Sequence, residues 1–123
     1  MQRNLLAAVL SVFLVTGCTG LGSGASPGLK RGWELMVAED YAGAVQHYEK
    51  MLEDYPDNPY ALLNLGVAYQ RLGEFDRARP NYQAAIEHGK SANVTRVAEK
   101  SGVKTQTTTV ADLARVNLAT LPK

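Results

Sequence analysis

The chain has 123 residues, 46% of them hydrophobic, with 13 Lys plus Arg against 12 Asp plus Glu. That length sets one small domain and that composition excludes wholesale disorder, while a net charge of +1 leaves no basic footprint for nucleic acid. The single cysteine, Cys18, excludes an internal disulfide framework and any multi-thiolate metal site built within one chain.

Residues 1–17 read as a targeting segment. Arg3 is its basic start, and residues 5–15 are apolar apart from Ser11. This run is shorter than the roughly 20 residues a transmembrane helix needs. Val15, Thr16 and Gly17 then place small residues directly before Cys18, a pattern that resembles the lipobox of bacterial lipoproteins. The resemblance implies cleavage ahead of Cys18, diacylation through its sulfur, palmitate being one such acyl chain, and acylation of the new amino terminus. Two or more acyl chains anchor stably where one binds only marginally. In that family's sorting rule an aspartate after the cysteine retains the protein in the inner membrane, and here the position is Thr19. The resemblance therefore favours the periplasmic face of the outer membrane in a host with two membranes. Residues 18–27 combine the lipidated cysteine with a Gly/Ser-rich tether (TGLGSGASP), which spans roughly 15–18 Å as a flexible coil. Residues 1–17 hold one Arg and no acid, so the remainder carries 12 minus 12, or zero, net charge.

Residues 28–90 repeat with a period of 34. Leu29 superimposes on Leu63, Gly32 on Gly66, Tyr41 on Phe75, Ala44 on Ala78, Tyr48 on Tyr82 and Leu52 on Ile86. Each copy reads as two helices. In the second, Leu62, Leu65, Gly66, Tyr69 and Leu72 recur at helical spacing, Gly73 breaks the pattern, and Phe75, Ala78, Tyr82, Ala85 and Ile86 resume it. Residues 54–59 (DYPDNP) separate the copies, because proline cannot continue a helix and disfavours it in the residue before. Gly32 and Gly66 are each matched with an alanine, Ala44 and Ala78, so two helix backbones can approach closely.

With Leu65, Gly66, Tyr69, Gly73, Phe75, Ala78, Tyr82 and Ala85 in one copy, and Gly32, Tyr41, Ala44, Tyr48 and Pro56 in the other, the chain resembles the tetratricopeptide repeat (TPR) family. The resemblance implies an all-α fold: two tandem helix-turn-helix repeats in a short α-solenoid. Three departures stand out: Glu39 replaces the turn glycine of the first copy, Lys90 replaces the closing proline of the second, and Pro80 lies inside the last repeat helix. Pro80 is expected to start that helix late or kink it.

The resemblance also places the first helix of each unit on an inner face that takes a protein or peptide partner. The residues it assigns to that groove are Leu29, Trp33, Val37, Tyr60, Leu63, Val67, Gln70 and Arg71. Spacing supports one face independently, since Leu29, Trp33 and Val37 are four apart, as are Leu63, Val67 and Arg71. Six of the eight are apolar or aromatic, a composition suited to an amphipathic or extended segment. The chain's own C-terminal helix or a second copy of the protein would fit the same face.

Two solenoid units are fewer than the three normally needed for stability, so residues 91–123 are expected to supply a cap. Residues 91–100 read as a short helix ending near Gly102, and 104–108 as a polar connector. Val110, Leu113, Ala114, Leu118 and Leu121 form the apolar stripe of a C-terminal amphipathic helix, which Thr109 and Asp112 would cap. His47 and His88 occupy unmatched positions of the two copies and read as surface residues, and the acids Glu49, Glu53, Asp54 and Asp57 read as a solvated helix end. No spacing suggests a phosphate loop, a nucleophile with its base, or a metal site. The sequence therefore points to a non-enzymatic, membrane-tethered interaction scaffold with no cofactor, of the kind that assembles or localises an envelope complex such as a secretion or pilus apparatus. The alternative is a structural subunit or homo-oligomer whose groove is permanently buried.

Overall fold

The computed structural model describes residues 26–98 and 104–123. The targeting segment, Cys18 and the tether up to residue 25 lie outside these. Five helices follow in order: α1 (Pro27–Val37), α2 (Tyr41–Asp54), α3 (Pro59–Arg71), α4 (Phe75–His88) and, after two strands, α5 (Val110–Thr120). None is long and apolar enough to cross a membrane.

The helix starts follow local chemistry. Ser26, Asp40 and Asn58 accept hydrogen bonds from the backbone N–H three residues on, those of Leu29, Gly43 and Ala61. These satisfy amides that a helix leaves orphaned. Pro27 and Pro59 sit in the first turn, where the missing N–H costs nothing. The helices stop at two equivalent turns. Gly73 adopts φ 76° and Glu39, 34 residues earlier, adopts φ 59°.

Consecutive helices pack antiparallel around one core in which α3 is central, with Ala61 to Tyr69 buried without interruption. Tyr48 and Tyr82 fill equivalent places in the two units and are fully buried. Each lies over a glycine of its own unit: a Cβ on Gly32 would come within 2.3 Å of the Tyr48 ring and one on Gly66 within 2.7 Å of the Tyr82 ring. The tyrosine takes the space that the glycine gives up. Burial pushes both phenols well above their ordinary range, opposed weakly at Tyr48 by the Asn64 amide.

Two sequence expectations are corrected. The helix expected over residues 91–100 is replaced, as far as residue 98, by a hairpin: strands β1 (Asn93–Ala98) and β2 (Lys104–Thr109) pair antiparallel, with Asn93 opposite Thr109 and Ala98 opposite Lys104. Val94, Thr95, Val97, Thr105 and Thr107 to Thr109 are β-branched and favour a pleated pairing over a helix. The expected connector is thus the second strand. The base of the hairpin is fixed where Val110 N donates to Ala92 O at 2.8 Å and Ala111 N to Gly89 O at 3.1 Å. Pro80, for its part, does not delay α4, which begins at Phe75. It occupies the exposed side, so the one lost backbone bond faces water.

α5 behaves as expected. Val110, Leu113, Ala114 and Leu121 are buried, and Asp112 and Arg115 face outward and pair at 2.8 Å. Thr109 Oγ1 accepts from Asp112 N at 3.1 Å and donates to Asp112 Oδ2 at 2.8 Å.

Candidate interaction site

α5 packs on α4 and, less extensively, on α3, the relation that α3 itself has to the preceding unit. A pair of side chains fixes the equivalence. Asn64 of α3 is fully buried and its Nδ2 donates to Tyr48 Oη of α2 at 3.1 Å. One unit on, Asn117 of α5 is fully buried with its amide beside the Tyr82 hydroxyl of α4. α5 therefore stands where the first helix of a third unit would stand, entered through the β-hairpin. α1, α3 and α5 form one row, and α5 extends the inner face rather than lying across it.

The eight groove residues do not share one environment. Leu29, Leu63 and Val67 are 5%, 0% and 0% exposed and belong to the core. Their place on the inner face is a place beneath it, because the side chains fill the seams between neighbouring helices. Trp33, Tyr60, Gln70 and Arg71 are half-buried, and Val37 is 61% exposed. Five of the eight thus remain within a partner's reach. Tyr60 Oη donates to Asn93 O at 3.0 Å, which ties the start of β1 to the start of α3. Gln70 joins α3 to its neighbours, accepting from Tyr82 Oη at 2.6 Å and donating through Nε2 to Thr120 Oγ1 at 3.0 Å.

Sequence reasoning did not assign Asn64, Asn117 or Thr120 to this region. Asn64 sits four residues after Tyr60, so helical spacing alone could have found it. Asn117 and Thr120 needed the placement of α5, which depends on a hairpin that helical periodicity does not signal. Val116, 46% exposed on α5, was missed for the same reason.

The two histidines differ: His88 is a surface residue, as expected, whereas His47 is packed into the fold. His47 is half-buried, with Nε2 donating to the Gly28 carbonyl at 2.7 Å and its ring edge-on to Tyr48. His88 Nε2 lies 3.4 Å from Asp57 Oδ1, across the turn between the units. Among the described residues no group of three or more His, Cys, Asp or Glu could hold a metal ion.

No solved structure matches the chain significantly. The family comparison does find a match: residues 35–94, which run from the end of α1 through the second unit to the start of β1, fit the family model described as tetratricopeptide repeat. Families of this repeat are interaction modules that bind protein or peptide partners. With its helix pairs stacked in tandem and its glycines seated under tyrosines, this segment has the architecture of tetratricopeptide-like helix pairs.

Proposed function

We propose that the protein is a lipid-anchored interaction scaffold that holds a segment of a partner protein along the row α1, α3 and α5, and so assembles or localises an envelope complex. The observation that carries this reading is the uneven burial of the inner face. Its floor is dry and packed, whereas Trp33, Val37, Tyr60, Gln70 and Arg71 stay accessible above it. A rigid apolar floor with a few reachable aromatic, apolar and polar groups suits an extended or amphipathic segment anchored by side chains.

The anchor rests on residues 1–18. An apolar run too short to span a bilayer, followed by small residues and the sole cysteine, supports acylation of Cys18, and Thr19 supports the outer membrane in a two-membrane host. A tether of about 20 Å confines the repeats to the membrane surface, so a weak groove gains effective concentration for a partner held in the same membrane.

Labelling with a palmitate analogue and fractionation, on native protein and Cys18→Ala, tests the anchor together with its use. The native chain is expected to take the label and fractionate with membranes, and Cys18→Ala to fold normally, lose both properties and fail to support the assembly. A soluble Cys18→Ala form that retains full function would separate the scaffold from the anchor and discard the latter.

A further inference from the structure

Three buried side-chain polar atoms of the described residues lack a hydrogen bond: Arg71 Nε and both amide atoms of Asn117. They gather at one place. Arg71 and Asn117 both act on the Tyr82 hydroxyl, whose proton is already given to Gln70 Oε1 at 2.6 Å. Gln70 is in turn occupied by Thr120. The junction of α3, α4 and α5 therefore ties Tyr82, Gln70 and Thr120 together and leaves the buried Nε of Arg71 without a hydrogen bond.

Among the described residues Arg71 makes no salt bridge, and three acids on or beside the surrounding elements are engaged elsewhere. Glu74 lies 3.4 Å from Arg77, Asp112 lies 2.8 Å from Arg115, and Glu49 accepts from Tyr69. A partly desolvated cation without a counter-charge is costly. The guanidinium fork is, in addition, the side chain best matched to a carboxylate.

The helices on either side of α3 carry exposed apolar side chains. Val37, the residue 34 positions before Arg71 and so its equivalent on α1, is 61% exposed. On α5, Val116 precedes Asn117 as Leu63 precedes Asn64, and it is 46% exposed where Leu63 is fully covered. Two exposed valines on the helices either side of Arg71 describe a complementary ligand. We propose that the groove's occupant is a segment of a partner protein in which an Asp or Glu is flanked by apolar side chains, the carboxylate seating on Arg71 and the apolar groups on Val37 and Val116. This rests on the reading of the row as a binding groove and adds the chemistry of what it binds.

The test uses the full-length chain in lipid nanodiscs, with the emission of Trp33 as the signal. Two degenerate pools of short peptides rich in Leu, Val and Phe differ only in carrying Glu or Gln at the central position. The Glu pool is expected to bind about tenfold more tightly, as for one charge-assisted contact, with the preference shrinking as salt is added. Arg71→Gln is expected to erase the preference, the two pools then binding alike, and Arg71→Lys to keep part of it, because a point charge replaces a fork. Melting followed by circular dichroism checks that both variants fold, and the Lys variant carries the test if the Gln variant does not. Equal binding of the two pools overturns the carboxylate inference and leaves the groove standing. A preference that survives Arg71→Gln overturns the assignment to Arg71. Absence of a Trp33 response to either pool overturns both the inference and the groove.

Discussion

Glu39 and Gly73 hold the same turn in successive units, and they show how one backbone conformation can be reached at different cost. Both lie at positive φ, 59° and 76°, a region that an L side chain enters at roughly 1–2 kcal/mol and glycine enters freely. A Cβ on Gly73 would meet nothing within 4 Å, so Gly73→Ala is purely a backbone test. It should lower stability by about 1 kcal/mol. Glu39→Gly should raise it by about 0.5 kcal/mol, the strain relieved less the entropy glycine adds to the unfolded chain. Chemical denaturation of the two variants measures both signs, and opposite shifts of unequal size are the expected outcome. At the residue scale the 34-residue register was legible and marked Glu39 as a departure, but it matched Gly32 and Gly66 with Ala44 and Ala78, whereas the rings of Tyr48 and Tyr82 are what lie over the two glycines. Burial along the inner face was not legible, because helical spacing gives a face but not how deep a neighbouring helix covers it. Leu63 and Val67 thus share a stripe with Arg71 yet lie wholly under the surface.

The four repeat helices followed from periodicity and proline placement, since their caps and breaks are local chemistry. The hairpin of β1 and β2 did not. Residues 93–98 contain Val94, Arg96 and Val97 in a pattern too short to separate a helix turn from a strand, and the pairing that decides it is with residues 104–109, beyond the reach of a local window. Once the hairpin is in place, α5 is delivered to the position of a third unit's first helix. Its own role follows from what it buries. Val110, Leu113 and Leu121 are each at most 6% exposed, and burying a large aliphatic side chain contributes about 1.5–3 kcal/mol. Removing residues 110–123 should therefore cost on the order of 5 kcal/mol, much of the stability of a small domain. Thermal melting should show a large drop or loss of the cooperative transition. Unchanged melting accompanied by stronger partner binding would instead mark α5 as a removable plug over the groove.

As a whole the molecule is two repeats and a half, neutral beyond residue 17, with a packed floor and an incomplete set of polar partners at one end of its inner face. Neutrality means that long-range steering contributes little. Recognition must come from contact, and contact surface is what α1, α3 and α5 leave open. Site-specific photocrosslinking in cells probes that claim most directly, with the reactive group at position 37 on the inner face and, as a control, at Gln46 on the exposed side of α2. A scaffold that binds through this row yields adducts with a distinct membrane-associated protein from position 37, reduced by Trp33→Ala, and few or none from position 46. Adducts from position 37 only with other copies of the chain, or equal yields from both positions, would contradict it.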